Sequence, residues 1–205
     1  MRTIDLNNWN RKQHFEHFIK LKDPYFAVTV PLNVTKAYKF SKENKISFFA
    51  TYLHACMQAI NEVDNFKYRI LDDFIVEYKV IHTSPTIMRD DGTFGFSFID
   101  YDKNLNKFIE NVEAEKKRIK NSTNLFPPKN GLDCIHCSAM PWLNFSGHKE
   151  PVSGVIDSVP KLAFSKATNL GNELIMNVSI NVNHALVDGS HVGDFVEKFQ
   201  YNLNT

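Results

Sequence analysis

From Glu173 onward the chain alternates apolar and polar side chains: Met176, Val178, Ile180 and Val182 share one parity, Asn177, Ser179, Asn181 and Asn183 the other. Period two is the mark of a strand with one buried face. The alternation runs on into His184, which it sets on the apolar side at the strand's C-terminal end. Ala185-Leu-Val-Asp-Gly189 then turns the chain into a helix bearing Val192, Phe195, Val196 and Phe199. Helical spacing also appears from Trp9 to about Lys20 and from Ser47 to about Val63, each with one face to bury, and in a third long helix carrying Leu105, Phe108, Ile109, Val112 and Ile119. Between them, Tyr25 to Pro31 is rich in β-branched and aromatic residues and reads as a strand, after which Thr35 offers an N-cap for a short helix to about Glu43. Apolar runs flanking Asp72-Asp73 predict a hairpin within Phe66 to Ile81, and Phe94, Phe96 and Phe98 give Thr93 to Tyr101 the pattern of a strand with one aromatic face. Asn121 to Gly131 is the one sustained loop signal. Strands interleaved with helices, ending strand, turn, helix, predict an α/β sandwich.

Composition narrows the function. The 205 residues show no internal repeat or composition shift, so one domain over 1–205 is expected. The formal net charge is +1 with no block of like charges, which gives no reason to expect nucleic acid or an anionic membrane as partner. The N-terminus lacks the apolar core of a signal peptide, and the three cysteines are too few for a disulfide framework, so a cytoplasmic protein with reduced thiols is expected.

Cys134-Ile-His-Cys137 invites a zinc or redox reading. Period two argues against it: in a strand from Leu132 to Met140, Cys134 and His136 share a face and Cys137 takes the other. No metal site is expected. His14, His17, Asp72, Asp73, Asp90 and Asp91 read as helix-surface and turn residues, and no phosphate-binding glycine loop or nucleophile elbow is present. His184 is different, because an imidazole at a strand end beside the carboxylate of Asp188 can be held in one tautomer and orientation, as a general base requires. A core histidine with one satisfied hydrogen bond is the competing reading.

Val182-Asn-His-Ala-Leu-Val-Asp-Gly-Ser-His-Val-Gly193 resembles the His-x-x-x-Asp-Gly signature of the chloramphenicol acetyltransferase family. Asn8-Trp-Asn-Arg-Lys-Gln-His-Phe-Glu16 resembles that family's opening, and Leu125-Phe-Pro127, Ser138-Ala-Met-Pro-Trp-Leu-Asn-Phe145 and Pro160-Lys-Leu-Ala-Phe-Ser-Lys166 follow in order. The resemblance implies a two-layer sandwich of a mixed β-sheet with helices, and a homotrimer with active sites at subunit interfaces. It also implies acetyl-coenzyme A as a co-substrate that is not tightly bound, and a small hydroxyl acceptor, chloramphenicol or a related molecule. It makes His184 the general base and Arg11 with Asp188 a supporting ion pair; His191 is expected to be dispensable. The acceptor pocket falls on His17, Phe18, Pro24, Phe26 and Thr93, and Lys166 lies near coenzyme A. The polar face of the last strand is expected to bond across the subunit boundary.

Departures from the family pattern are equally specific. The serine that hydrogen-bonds the oxyanion falls on Gly147, with Ser146 beside it, and a threonine that helps hold a water falls on Ala163. Ala167 stands where an aromatic residue would stack on adenine. Neither Gly147 nor Ala163 has a side-chain donor, so weak chloramphenicol acetylation, or a relative that acts on another acceptor or only binds a ligand, is the alternative expectation.

Overall fold

The computed structural model describes residues 1–205 except Asp73 and Ser153. The strands are β1 (Arg2–Thr3), β2 (Tyr25–Asn33), β3 (Tyr68–Leu71), β4 (Phe74–Glu77), β5 (His82–Met88), β6 (Phe94–Phe96), β7 (Cys134–Met140), β8 (Lys161–Ser165), β9 (Thr168–Leu170) and β10 (Glu173–Asn183). The helices are α1 (Lys12–Phe18), α2 (Thr35–Glu43), α3 (Phe48–Glu62), α4 (Leu105–Lys120) and α5 (Gly189–Asn204). The main sheet runs β2-β10-β8-β7-β5-β6, with β9 paired to β10; β5-β7 and β7-β8 are parallel and the other pairs antiparallel. β1, β4 and β3 form a separate small sheet. The architecture is a mixed sheet layered with helices, as the α/β sandwich expectation requires.

Burial follows the pattern of the sequence. Met176, Val178, Ile180 and Val182 are all at most 1% exposed and pack with Leu53, Met57, Phe195 and Phe199 of α3 and α5 in one cluster. Each contributes about 1.5–3 kcal/mol through removal from water. Ser47 caps α3 by accepting from the Ala50 amide at 3.3 Å, and Asn104 caps α4 by accepting from Lys107 at 3.1 Å. Arg69, fully buried, donates to the carbonyls of Phe66, Tyr68, Leu132 and Cys134, clipping the small sheet to the approach of β7; burial pushes its pKa down to about 10.

Several boundaries differ from the sequence reading. α1 covers seven residues, not twelve, and none of them is fully buried, so little apolar contact is available to extend it. Thr35 is the first residue of α2 and not its cap: its hydroxyl accepts from the Leu174 amide at 2.7 Å, while Asn33 accepts from the Thr35 amide. The aromatic strand expected from Thr93 to Tyr101 stops at Phe96, beyond which Ser97 bonds back to the Pro85 carbonyl and Ile99 bridges to Thr83. Asp72 has a positive φ of 52° in the β3–β4 turn; Asp73 lies outside the described residues.

The polar face of β10 also needs correction. Asn177 donates to the Phe145 carbonyl at 2.9 Å, Ser179 to the His148 carbonyl at 3.4 Å and Asn183 to the Asp157 carbonyl at 3.2 Å. Phe145, His148 and Asp157 of the same chain therefore supply acceptors to a face that was expected to bond across a subunit boundary, because their carbonyls need donors as much as the amides need acceptors.

Candidate active site

β10 ends at Asn183, one residue short of the expected histidine, and a turn over 184–186 follows. Asn183 builds that turn: its side-chain oxygen accepts from the Ala185 amide at 2.9 Å, and its carbonyl from the Leu186 and Val187 amides. The His184 amide donates to the Pro24 carbonyl at 2.8 Å, which fixes the histidine against the entry to β2. Its ring stacks on Phe18, with centroids 3.9 Å apart and planes 9° apart, and meets Phe26 at 4.7 Å. Two aromatic faces and one backbone anchor thus limit the ring's rotation.

A carboxylate completes the environment. His184 Nδ1 lies 3.2 Å from Asp188 Oδ1, in ion-pair range but off the line of a good hydrogen bond. The other carboxylate oxygen accepts from Arg11 Nη1, and Arg11 Nη2 reaches the His184 carbonyl at 3.3 Å. Burial pushes the guanidinium pKa down, yet arginine stays charged at neutral pH. Arg11 also stands 5.9 Å from the centre of the Trp9 ring, whose edge meets Tyr68. One arginine therefore ties the start of α1 to the turn that carries His184.

The other sequence candidates fall into separate places. Ala163 is fully buried in β8, opposite Ser179 of β10 and Ser138 of β7. Ser179 precedes His184 by five residues, which is about 17 Å along a strand. Ser146 and Gly147 are exposed in the loop held over the middle of β10, and a Cβ on Gly147 would meet no atom within 4 Å. Thr93 is held by Asp91 and Arg89 beside β6. Phe26 on β2 is five strand positions away, about 24 Å. Lys166 is exposed just after β8, its amide bonded to the Leu143 carbonyl at 2.7 Å. Exposed His17 sets its ring edge-on to Phe18 at 5.0 Å. One chain thus gathers Arg11, His17, Phe18, Pro24, Phe26, His184 and Asp188, and leaves Thr93, Ser146, Gly147, Ala163 and Lys166 apart.

The two cysteines of the Cys-x-x-Cys run are buried in different apolar clusters, and burial pushes each thiol up to about 12. Among the described residues no three His, Cys, Asp or Glu side chains are grouped to hold a metal, and no helix is long and apolar enough to cross a membrane.

A family model for chloramphenicol acetyltransferase matches residues 1–200. The chain belongs to the chloramphenicol acetyltransferase family. Chloramphenicol acetyltransferase 3 of Escherichia coli is 28% identical over 208 residues, covering 98% of this chain and 96% of that protein. The Bacillus pumilus chloramphenicol acetyltransferase is 26% identical, covering 95% and 90%. A solved chloramphenicol acetyltransferase structure superposes with a TM-score of 0.87 at 25% identity over 98% of each chain. A dihydrolipoamide acetyltransferase of Azotobacter vinelandii shares the fold, with a TM-score of 0.71 at 15% identity over 94% and 86%. The protein is an acyltransferase of this family.

Within this chloramphenicol acetyltransferase fold, two supports of the His184 turn escaped the sequence reading. Asn65 donates to the Leu186 carbonyl at 2.7 Å, across a sequence separation no local pattern can reveal. His191 Nδ1 accepts from the Asp188 amide at 2.9 Å, and burial together with Arg11 pushes the His191 pKa down. The spacing of Asp188 and His191, N-cap to N3, is a readable signal for such a reciprocal helix start.

Proposed function

We propose that residues 1–205 act as one domain that transfers the acetyl group of acetyl-coenzyme A to the hydroxyl of a small acceptor, with His184 as the base. The stacked His184 ring beside Asp188 carries this reading. With Nδ1 turned to the carboxylate, Nε2 is the nitrogen free to take the acceptor's proton. The acceptor oxygen then attacks the thioester carbonyl carbon. As the tetrahedral intermediate collapses, the C–S bond breaks and the proton returns from His184 to the departing thiolate. Arg11 holds the turn through Asp188, and the Asp188 oxygen that faces Nδ1 stabilises the positive charge that appears on the ring. Lys166 serves as a cation for the coenzyme.

The distances support a site completed by a second copy. His184 lies about 17–24 Å from Ala163 and Thr93 of its own chain, which supports a site made where the histidine turn of one copy meets the sheet of the next, in a homotrimer. The experiment is thiol release from acetyl-coenzyme A by purified protein, with chloramphenicol and with a panel of simple alcohols. Acceptor-dependent release that disappears in His184→Ala is expected, and release unchanged in that variant would overturn the reading. A second reading, a family member that acetylates chloramphenicol weakly and another acceptor well, is favoured by the absent hydroxyls at Gly147 and Ala163. Turnover with another alcohol at least tenfold above that with chloramphenicol would mark it.

A further inference from the structure

His184 is held from behind as well as from in front. Its ring faces Phe18, Phe26 and Asp188, whereas Asn183, the residue before it, points to the opposite side of the sheet and is 3% exposed. Both ends of the Asn183 amide are used. The oxygen accepts from the Ala185 amide at 2.9 Å, inside the turn, and the nitrogen donates to the Asp157 carbonyl at 3.2 Å, outside it. The Asp157 amide donates to the Tyr25 hydroxyl at 2.6 Å. Tyr25 is the register partner of Asn183 between β2 and β10, and it follows Pro24, whose carbonyl accepts from the His184 amide.

Tyr25 is thus joined to the histidine turn by two routes, one through the backbone of Pro24 and one through its own hydroxyl, Asp157 and Asn183. Asp157 is a stiff link in the second route. Its carboxylate accepts from the Val159 amide at 2.8 Å and pairs with Lys161, the first residue of β8, at 2.9 Å. A primary amide both accepts within the turn and donates beyond it, which an ionised aspartate and an alanine cannot do. The bond to Ala185 alone would make an asparagine turn of the ordinary local kind. The bond to Asp157 adds what a local turn lacks, a fixed place for the turn relative to the sheet.

We propose that Tyr25 and Asn183 are positioning residues for the base: a chain from the Tyr25 hydroxyl through the Asp157 backbone and the Asn183 amide sets the place of the His184 ring. The proposal rests on the acetyl-transfer reading for its effect on rate, and on the hydrogen bonds for its effect on the ring. Neither side chain touches the reacting atoms, and the Tyr25 hydroxyl acts from the far face of the sheet. Its loss takes an acceptor from the Asp157 amide, lets the Asp157 carbonyl move away from Asn183, and frees the turn to shift under the ring.

Tyr25→Phe, Asn183→Ala and the double variant, each made in the full chain, test it with two readouts. One is kcat and KM for thiol release from acetyl-coenzyme A, with the alcohol of the panel that turns over fastest. The other is the proton NMR shift of His184 Cε1–H, assigned by its absence in His184→Ala, which stacking on Phe18 holds upfield. Tyr25→Phe should lower kcat about threefold with KM unchanged and move the resonance downfield, and Asn183→Ala should lower kcat about tenfold. In the Asn183→Ala background Tyr25→Phe should change neither readout further, since residues that act through one chain do not add. If Asn183→Ala does not fold, Asn183→Asp, which keeps the acceptor for Ala185 and lacks the donor, takes its place. A Tyr25→Phe variant that loses only thermal stability, or whose effect adds in full to that of the Asn183 variant, would overturn the proposal. A resonance that moves as expected in a protein releasing no thiol with any acceptor would uphold the chain and overturn acetyl transfer; thiol release with both readouts unmoved would do the reverse.

Discussion

At the scale of single residues, His184 carries the largest expected effect. His184→Ala should lower acetyl transfer by about 10²–10⁴-fold, the usual contribution of a positioned base. It should cost stability only about 1 kcal/mol, through the lost stacking on Phe18. Thiol release and thermal unfolding on the same preparation separate the two. Arg11→Ala behaves differently, because it strands a carboxylate. A fully buried pair costs about 3–5 kcal/mol when one partner is removed. Asp188 keeps 27% side-chain exposure, so about 2 kcal/mol is expected, read as a lower unfolding midpoint together with reduced activity. Gly147→Ser should raise chloramphenicol turnover by tenfold or more if the loop retains family geometry, since an oxyanion donor is worth about 2.7–4 kcal/mol and the added Cβ meets empty space. An unchanged rate would show that another donor already fills that place. The closeness of His184 to Asp188 was legible in strand parity and a short local motif, and that of Arg11 to Asp188, 177 positions apart, came from the family resemblance. The contacts of Asp157 with Tyr25 and Asn183 were legible in neither, since the segment that carries Asp157 has no period.

At the scale of elements, the start of α5 holds the turn that carries His184. His191→Ala removes the acceptor of the Asp188 amide, and should cost about 1 kcal/mol and slow transfer several-fold through a less constrained turn. Measurement of kcat and KM for this variant should place the loss in kcat. Burial lowers the His191 pKa, so the folded state favours the neutral ring: its contribution is complete above the ordinary histidine value of about 6.5 and is lost as pH falls below it. β10 was legible almost to the residue, because eleven alternating positions bury one face against helices. α1 and β6 were overextended, because aromatic residues there pack through tertiary contacts that periodicity cannot distinguish from a longer element. Trp9, before α1, packs against Tyr68 and Phe15; Phe98, after β6, packs in a satellite cluster with Cys134 and Val159.

At the scale of the whole molecule, four histidines, His54, His82, His136 and His191, have pKa values pushed down by burial. Each must gain a proton on unfolding in acid, so the unfolding midpoint should fall steadily from pH 7 to pH 5, and a flat profile would contradict those burials. The layered sheet and most helix positions were legible in the alternation and spacing of apolar residues, whereas the homotrimer is expected from the family resemblance alone, because no local pattern in one chain records its contact with another copy. Light scattering should give three times the 23.6 kDa chain mass, whereas a stable monomer would rule out a shared site. The most direct test mixes two inactive variants, His184→Ala, which lacks the base, and Gly147→Trp, which blocks the loop on the opposite wall. If the site joins two copies, unfolding and refolding them together in equal amounts should restore about a quarter of the wild-type thiol release, from interfaces pairing an intact histidine with an intact loop. Mixed assemblies as inactive as either parent would contradict it and return the whole site to a single chain.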